Sequence, residues 1–316
     1  NGKKTPIKSP KDYLRNLYKK KDFIDLYQKK IPIPFTIGNL TFDLCKFTLP
    51  KLKYNSNKNG INIPLAHFVH PRNLIIIDNI LNETHLIEFS KSKKVEDTKL
   101  DTIQRLLTSS IKTSKNNLKI KPSIFKNHMS KDDFFQKVND IKKEIINGEI
   151  FQAVLSQRFS AKYKIDPFNF YRALRSINPS PYLVFLNLKK YQIICSSPET
   201  MINVKNGKIT LRPIAGTRRR GINKEEDLKL EKELLNDTKE LAEHLMLVDL
   251  GRNDVGQISK IGTVKVTEKN IIEYYSHVMH IVSNVTGDLK DKYTPVDTLF
   301  AGLPAGTVSG APKIRA

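Results

Sequence analysis

Asn206-Gly207 stands between two short segments of alternating polarity, Met201–Lys205 and Lys208–Ile214. A two-residue Asn-Gly connection takes positive φ at both positions and closes an antiparallel hairpin. This part of the chain is therefore committed to antiparallel sheet. Tyr182–Leu188, Tyr191–Ser196, Gly262–Thr267 and Tyr274–Val285 also read as strands, with Ile150–Phe159 before them. Helices interrupt these runs without regular strand–helix alternation. The fold class predicted is α+β, with large mixed or antiparallel sheets flanked by helices.

Three helix starts carry local signals. Ser130 with Asp133 resembles a capping box, Phe134, Phe135, Val138, Ile141 and Ile145 follow at helical spacing, and Gly148 is a C-terminal stop. Asp166-Pro167 suits an N-cap and first turn for a helix to about Ile177, and Asp237 caps another that carries Glu240 to about Leu250. Before Ser130 the texture is different. A polar segment with a helix around Tyr13–Tyr27 leads into short apolar runs broken by Pro, Gly and Asn: Ile31–Phe35, Phe42–Phe47, Leu74–Asp78 and His85–Phe89. A helix near Asp97–Thr108 precedes a Lys/Asn/Ser-rich linker. Two regions are expected, 1–128 and 129–316, the second ending in a Gly-rich loop, Leu303–Lys313, at the mouth of a further helix.

The formal charge is +22, from 54 Lys and Arg against 32 Asp and Glu. The excess is mostly Lys dispersed among Asn and Ile, as in Lys112–Lys126, with no Arg-rich stripe or zinc-finger spacing. It reads as a solvated surface rather than a specific nucleic-acid interface. No apolar run reaches the roughly 18 residues that span a bilayer, so no membrane partner is expected. The two cysteines, Cys45 and Cys195, fit a reducing compartment, the cytoplasm or a plastid.

Several residues could carry chemistry, each with a plainer alternative. Glu240 and Glu243 share one helix face, where a hard divalent cation would offset their repulsion; a solvated face or a salt bridge with Lys239 would serve as well. His280 lies in a largely apolar strand and reads as a hydrogen-bonded core residue or a functional one. Glu199, after Ser197-Pro198, could be an acid if burial raised its pKa, or a surface turn. Gly216 and Thr217 lie where a strand from Arg212 is expected to end in a turn, and could admit a ligand to the backbone or simply close the strand.

Taken in order, Gly148–Arg158, Asn178-Pro-Ser-Pro-Tyr182, Ser197-Pro-Glu199, Pro213–Arg218, Lys239–Asp249 with Arg252-Asn-Asp254, Val278-Met-His280 and Pro304–Lys313 resemble the motifs of the chorismate-utilising enzymes, and among these anthranilate synthase component I. The likeness covers about residues 130–316 and continues more loosely through Gly38–Asp43. It implies the chorismate-binding fold and a Mg²⁺-dependent lyase of tryptophan biosynthesis that turns chorismate and ammonia into anthranilate and pyruvate. A separate glutamine amidotransferase subunit (component II) would supply the ammonia within a hetero-oligomer. Gln152 stands where isochorismate and salicylate synthases carry a water-activating lysine, and Ala215 where aminodeoxychorismate synthases carry a nucleophilic lysine.

By the same resemblance Glu243 binds Mg²⁺ directly and Glu240 through water. Glu199 protonates the departing C4 hydroxyl, Thr217 orients the ring, and His280 assists loss of pyruvate. Gln152, Ala215, Gly216, Thr217 and Thr307 contact substrate. Asn178, Pro181, Tyr182 and Leu183 form half of a tryptophan-binding allosteric site whose other half, a Leu-Glu-Ser segment, would precede Asn1. The family continues after Lys313 with a substrate-gripping arginine, a Gly-rich oxyanion loop and further metal-ligating glutamates. A C-terminally incomplete fragment is therefore expected. Aminodeoxychorismate synthase component I and a catalytically incomplete remnant are the alternatives.

Overall fold

The computed structural model describes residues 9–19, 36–49, 60–89, 98–110 and 123–316. Contacts divide the chain into two compact units. One comprises Asn1–Phe23, Phe42–Ile63 and Ser123–Ala316; the other comprises Ile24–Thr41 and Pro64–Pro122. The chain passes between the units at 23/24, 41/42, 63/64 and 122/123, and the three earlier crossings carry no compositional mark in the sequence.

The smaller unit holds two antiparallel pairs, Ile37–Leu40 with Ala66–Val69 and Asn73–Asp78 with Glu83–Glu88. The helix Thr98–Thr108 contacts the strand Glu83–Glu88. The expected strands at Leu74–Asp78 and His85–Phe89 are thus found, and the expected helix near Asp97–Thr108 begins, among described residues, at Thr98. The segments Ile31–Phe35 and 20–27 and most of the linker lie outside the described residues.

In the larger unit Phe42–Leu44 and Cys45–Thr48 form a turn of 3₁₀ and a turn of α-helix, where the sequence predicts strand texture. The neighbours Leu44 and Cys45 are both buried while Phe42 and Phe47 are exposed. Adjacent buried residues cannot share one face of a pleated strand.

The helix Lys131–Ile146 starts as predicted: Asp133 N–H donates to Ser130 Oγ at 3.0 Å, and Ser130 Oγ donates to the Asp133 carboxylate at 2.6 Å. Gly148, at φ +78°, follows its end. Asp166 caps Pro167–Ile177 by accepting from the backbone of Phe168 and Asn169. Tyr182–Asn187 and Gln192–Ser197 pair as a hairpin, while Ile150–Phe159 is paired only near its two ends, through Gln152–Ala153 and Phe159–Ser160.

The centre of the unit is a five-stranded sheet. Val278–Asp288 pairs antiparallel with Lys265–Tyr274 on one side, and with Lys208–Leu211 and Ile214–Arg219 on the other. Asn203–Lys205 completes the sheet through the Asn206-Gly207 turn, whose φ values are +52° and +75°. Against it lies the helix Thr238–Ile258, capped by Asp237. Ile209 and Val285 from the sheet, with Val248, Val255 and Ile258 from the helix, form one buried cluster. At about 25 cal/mol per Å² of apolar surface, each such side chain contributes roughly 1.5–3 kcal/mol.

The amphipathic helix Lys224–Asn236 places Leu234 in a second cluster with Met279 and Ile281. The helix Pro295–Gly302 leads into the closing loop, which holds a 3₁₀ turn, Gly306–Val308, and a two-residue strand, Gly310–Ala311. Among the described residues no helix is long and apolar enough to cross a membrane.

An ion cluster ties the N-terminal helix Pro10–Lys19 to this core. The Asp297 side chain, 1% exposed, is paired with Arg15 and with Lys11 Nζ at 3.2 Å, and accepts from Thr294 N at 2.8 Å. Burial opposes its ionisation, yet these partners hold its pKa down to about 2, from 3.8. A depressed carboxylate stabilises the fold above its unfolded-state pKa, and the stabilisation is lost as pH falls through the folded value. Asp297→Asn should therefore cost roughly 2 kcal/mol in urea unfolding at pH 7. The difference from wild type should shrink from about pH 4 downward and be nearly gone below pH 2.

Candidate active site

The strand Ile214–Arg219 does not end in a turn at Gly216, as its sequence suggests; it runs on to Arg219 through a bulge. The register against Val278–Asp288 shifts between Ala215 and Thr217, and Gly216 has φ +82°. A Cβ at Gly216 would lie 2.8 Å from Ile281 Cδ1 and 3.5 Å from Glu240 Cβ. Glycine thus makes room for the Ile281 side chain of the neighbouring strand, and Glu240 of the helix Thr238–Ile258 lies beside the bulge at ordinary contact distance. Past the bulge Thr217 is opposite His280, with Thr217 Oγ1 and His280 Nδ1 2.9 Å apart.

His280 is half-buried, and burial lowers its pKa; a hydrogen bond to the Gly216 backbone and the charge of Glu273 pull the other way. Its ring meets the Tyr275 ring edge-on, at 5.3 Å between centroids. Tyr275 in turn donates to Glu273 at 2.8 Å, and Glu273 pairs with Arg212. Sequence reasoning missed this Arg212–Glu273–Tyr275 support, since nothing local marks as neighbours a residue between two strands, one inside a third strand and one just past its end. One turn along the long helix from Glu240, His244 is fully buried, its Nε2 2.7 Å from Ser283 Oγ. Ala215, before the bulge, is buried as well.

Glu240 and Glu243 are half-buried, and Glu240 lies beside this bulge. The cation beside Glu240 is Arg218, Nη1 to Oε1 3.7 Å, where the sequence suggests Lys239. Arg218 also binds Asp237 at 2.7 Å and Glu233 at 2.9 Å. Glu243 Oε1 accepts from Gln152 Nε2 at 2.9 Å, so a contact across 91 positions joins two of the predicted residues. Among the described residues no group of three or more His, Cys, Asp or Glu is placed to hold a metal. Two neighbouring carboxylates are nonetheless an adequate protein share for Mg²⁺, which keeps several waters and is commonly bound through one or two carboxylates.

Glu199 follows the strand Gln192–Ser197, its N–H donating to Ser197 Oγ at 3.3 Å. Burial raises its carboxyl from 4.5 to about 7, and a hydrogen bond with Thr307 works against that rise. Glu199 and Thr307 line a small cavity of about 30 Å³ with Leu247, Gly251, Asp254 and Gly306. Asp254, also lining the cavity and 3% exposed, is bound at 2.8 Å by Lys313 Nζ, which also donates to Ala301 O at 3.0 Å. The last lysine of the loop is thereby pinned to the long helix.

The remaining predicted residues gather elsewhere in this unit. Asn178 caps the helix Pro167–Ile177, and its carbonyl accepts from Ser196 Oγ at 2.6 Å. Pro181 and Tyr182 are exposed, Leu183 is half-buried opposite Ser196, and Tyr182 Oη accepts from Thr200. Tyr182 and Thr200 line a second cavity, of about 580 Å³, with Lys205, Lys208 and Arg212.

An acid held near neutrality under a Gly-rich loop and a histidine backed by a threonine suit proton transfer. The comparisons with known proteins agree in class. Residues 3–316 match the family model described as chorismate binding enzyme, and the chain belongs to that family. Within it, the chain is a homologue of anthranilate synthase component I. It is 44% identical over 295 residues to component 1 from Acetivibrio thermocellus, covering 89% of this chain and 59% of that protein. Against anthranilate synthase alpha subunit 2, chloroplastic, of Arabidopsis thaliana the identity is 42% over 298 residues, covering 89% and 48%. The crystal structure of anthranilate synthase component I from Streptococcus pneumoniae TIGR4 superposes with a TM-score of 0.85 at 38% identity, over 99% of this chain and 69% of that one. The chain thus spans about three-fifths of the length of the first of these relatives and about half of the second.

Because the Thr307 hydrogen bond favours the ionised form of Glu199, Thr307→Val should raise the Glu199 pKa above about 7. Carbon-13 NMR of labelled glutamate, titrated from pH 5 to 9, would read that shift directly. An unchanged or lowered value would place Thr307 outside the electrostatics of the acid.

Proposed function

We propose that the chain forms the chorismate-using part of an anthranilate synthase large subunit, converting chorismate and ammonia into anthranilate, pyruvate and water. The observation that carries the reading is Glu199, a carboxyl poised near pH 7 in a small cavity under the Gly-rich loop. A carboxylic acid that is still about half protonated at neutral pH can give its proton to the C4 hydroxyl as that group leaves as water. Ammonia adds at C2 of the ring. Gln152 has no basicity to activate water for the same attack, and Ala215 has no amine to attack in its place. Thr217 holds the His280 ring, whose lowered pKa keeps it neutral and able to take a proton as pyruvate departs and the ring becomes aromatic.

Glu243, with Glu240 through coordinated water, would hold Mg²⁺. Such an ion supplies charge neutralisation for a substrate carboxylate. Ala215, Gly216 and Thr307 are proposed as ring and carboxylate contacts. Asn178, Pro181, Tyr182 and Leu183 are proposed as part of a tryptophan-responsive site, a reading supported by Tyr182 lining the second cavity. Ammonia would come from a glutamine amidotransferase subunit, in keeping with the names of the component 1 relatives. The reading fits a cytoplasmic or plastid enzyme.

The test is to give the full-length protein chorismate, Mg²⁺ and ammonium and follow anthranilate fluorescence. Isochorismate or aminodeoxychorismate as the main product would overturn the reading, and Ala215→Lys should divert product toward 4-amino chemistry. On this reading kcat/KM carries a limb that falls as pH rises past about 7, where Glu199 loses its proton. Glu199→Gln should lower kcat by about 10²–10⁴-fold and abolish that limb.

A further inference from the structure

Gln152 is held from two directions. Its backbone belongs to the two-residue strand Gln152–Ala153, paired antiparallel with Gly310–Ala311 of the closing loop. Phe151 N–H donates to Ala311 O at 2.8 Å and Val154 N–H to Ser309 O at 2.9 Å, one on each side of the pair. The two backbones are so close that a Cβ at Gly310, where φ is +141°, would lie 2.2 Å from the Gln152 carbonyl oxygen. The side chain turns to the long helix and gives its amide proton to Glu243 Oε1 at 2.9 Å. Glu243 is thus bridged to the loop that carries Thr307 by a single side chain, although the helix and the loop are distant in sequence.

We propose that Gln152 is a positioning residue that holds the Glu243 carboxylate in its metal-binding orientation, and so makes metal affinity depend on the order of the closing loop. The inference rests on the reading of Glu243 as a Mg²⁺ ligand. A neutral amide suits the task. It orients one carboxylate oxygen through a hydrogen bond, as partners behind a metal ligand commonly do, and adds no positive charge to oppose a divalent cation. A lysine in its place would set an ammonium against the same oxygen and compete with the metal for it. Methionine, of similar length, would leave Oε1 unheld. Gln152 therefore has a task of its own beyond the lack of a water-activating amine.

The experiment is Mg²⁺ titration calorimetry on the full-length protein without chorismate, comparing wild type, Gln152→Met and Gln152→Lys. Gln152→Met should weaken Mg²⁺ binding about 10–100-fold, the usual loss when such a partner is removed. Gln152→Lys should weaken it further. Melting temperatures in EDTA identify a variant that fails to fold, and a crystal structure of Gln152→Met should show Glu243 turned from its wild-type rotamer. Wild-type Mg²⁺ affinity in both folded variants would overturn the inference and leave the metal reading intact. A wild-type protein that binds no Mg²⁺ would overturn both.

Discussion

The rotation of one helix about its own axis decides the geometry of the site. Thr238–Ile258 buries Val248, Val255 and Ile258 against Ile209 and Val285, and this apolar seam fixes which way every other residue of the helix points. Residues three and four apart share a face, so the stripe that carries Leu247, Gly251 and Asp254 toward the loop also carries Glu240, Glu243 and His244 toward the bulged strand. The carboxylates are aimed by hydrophobic packing two turns away. Charge pairing then has only to tune them, which Arg218 does at Glu240 and Gln152 at Glu243.

Two buried acids near the cavity show how the environment separates their roles. Glu199 and Asp254 both lose hydration, and burial raises both. Asp254 has Lys313 at 2.8 Å, an ammonium that stabilises its charged form and counters the rise. Among the described residues Glu199 has the hydroxyl of Thr307 and no cation, so its proton stays available near neutrality. The same dielectric penalty thus yields a structural ion pair where a cation is supplied and a candidate acid where none is.

Much of the frame was legible because its signals are local. Asn206-Gly207, the Ser130 and Asp237 caps and Asp166-Pro167 each announce themselves within four residues, and the structure shows each one. The helix Lys224–Asn236 was not anticipated. Its Lys- and Glu-rich surface dilutes the apolar periodicity, and its clearest cue, the Asn223 side chain accepting from Glu226 N, is a single hydrogen bond. The strand Lys265–Tyr274 was read as ending at Thr267, since polar Glu268–Asn270 resembles a loop. It is instead an irregular stretch, with Asn270 at φ +54° and two register shifts against Val278–Asp288.

The candidate site itself was legible through motif order alone, because the contacts that define it join residues far apart. Gln152 to Glu243 and Thr217 to His280 span 91 and 63 positions, and no periodicity encodes either pair. What the sequence does encode is the permission for those contacts. Gly216 makes room for the Ile281 side chain beside the bulge, and Gly310 lets the loop lie against Gln152, at two places where any side chain would collide with a neighbour. Each glycine is explained by the atom it makes room for: Ile281 Cδ1, on the residue next to His280, and the carbonyl oxygen of Gln152, whose side chain binds Glu243.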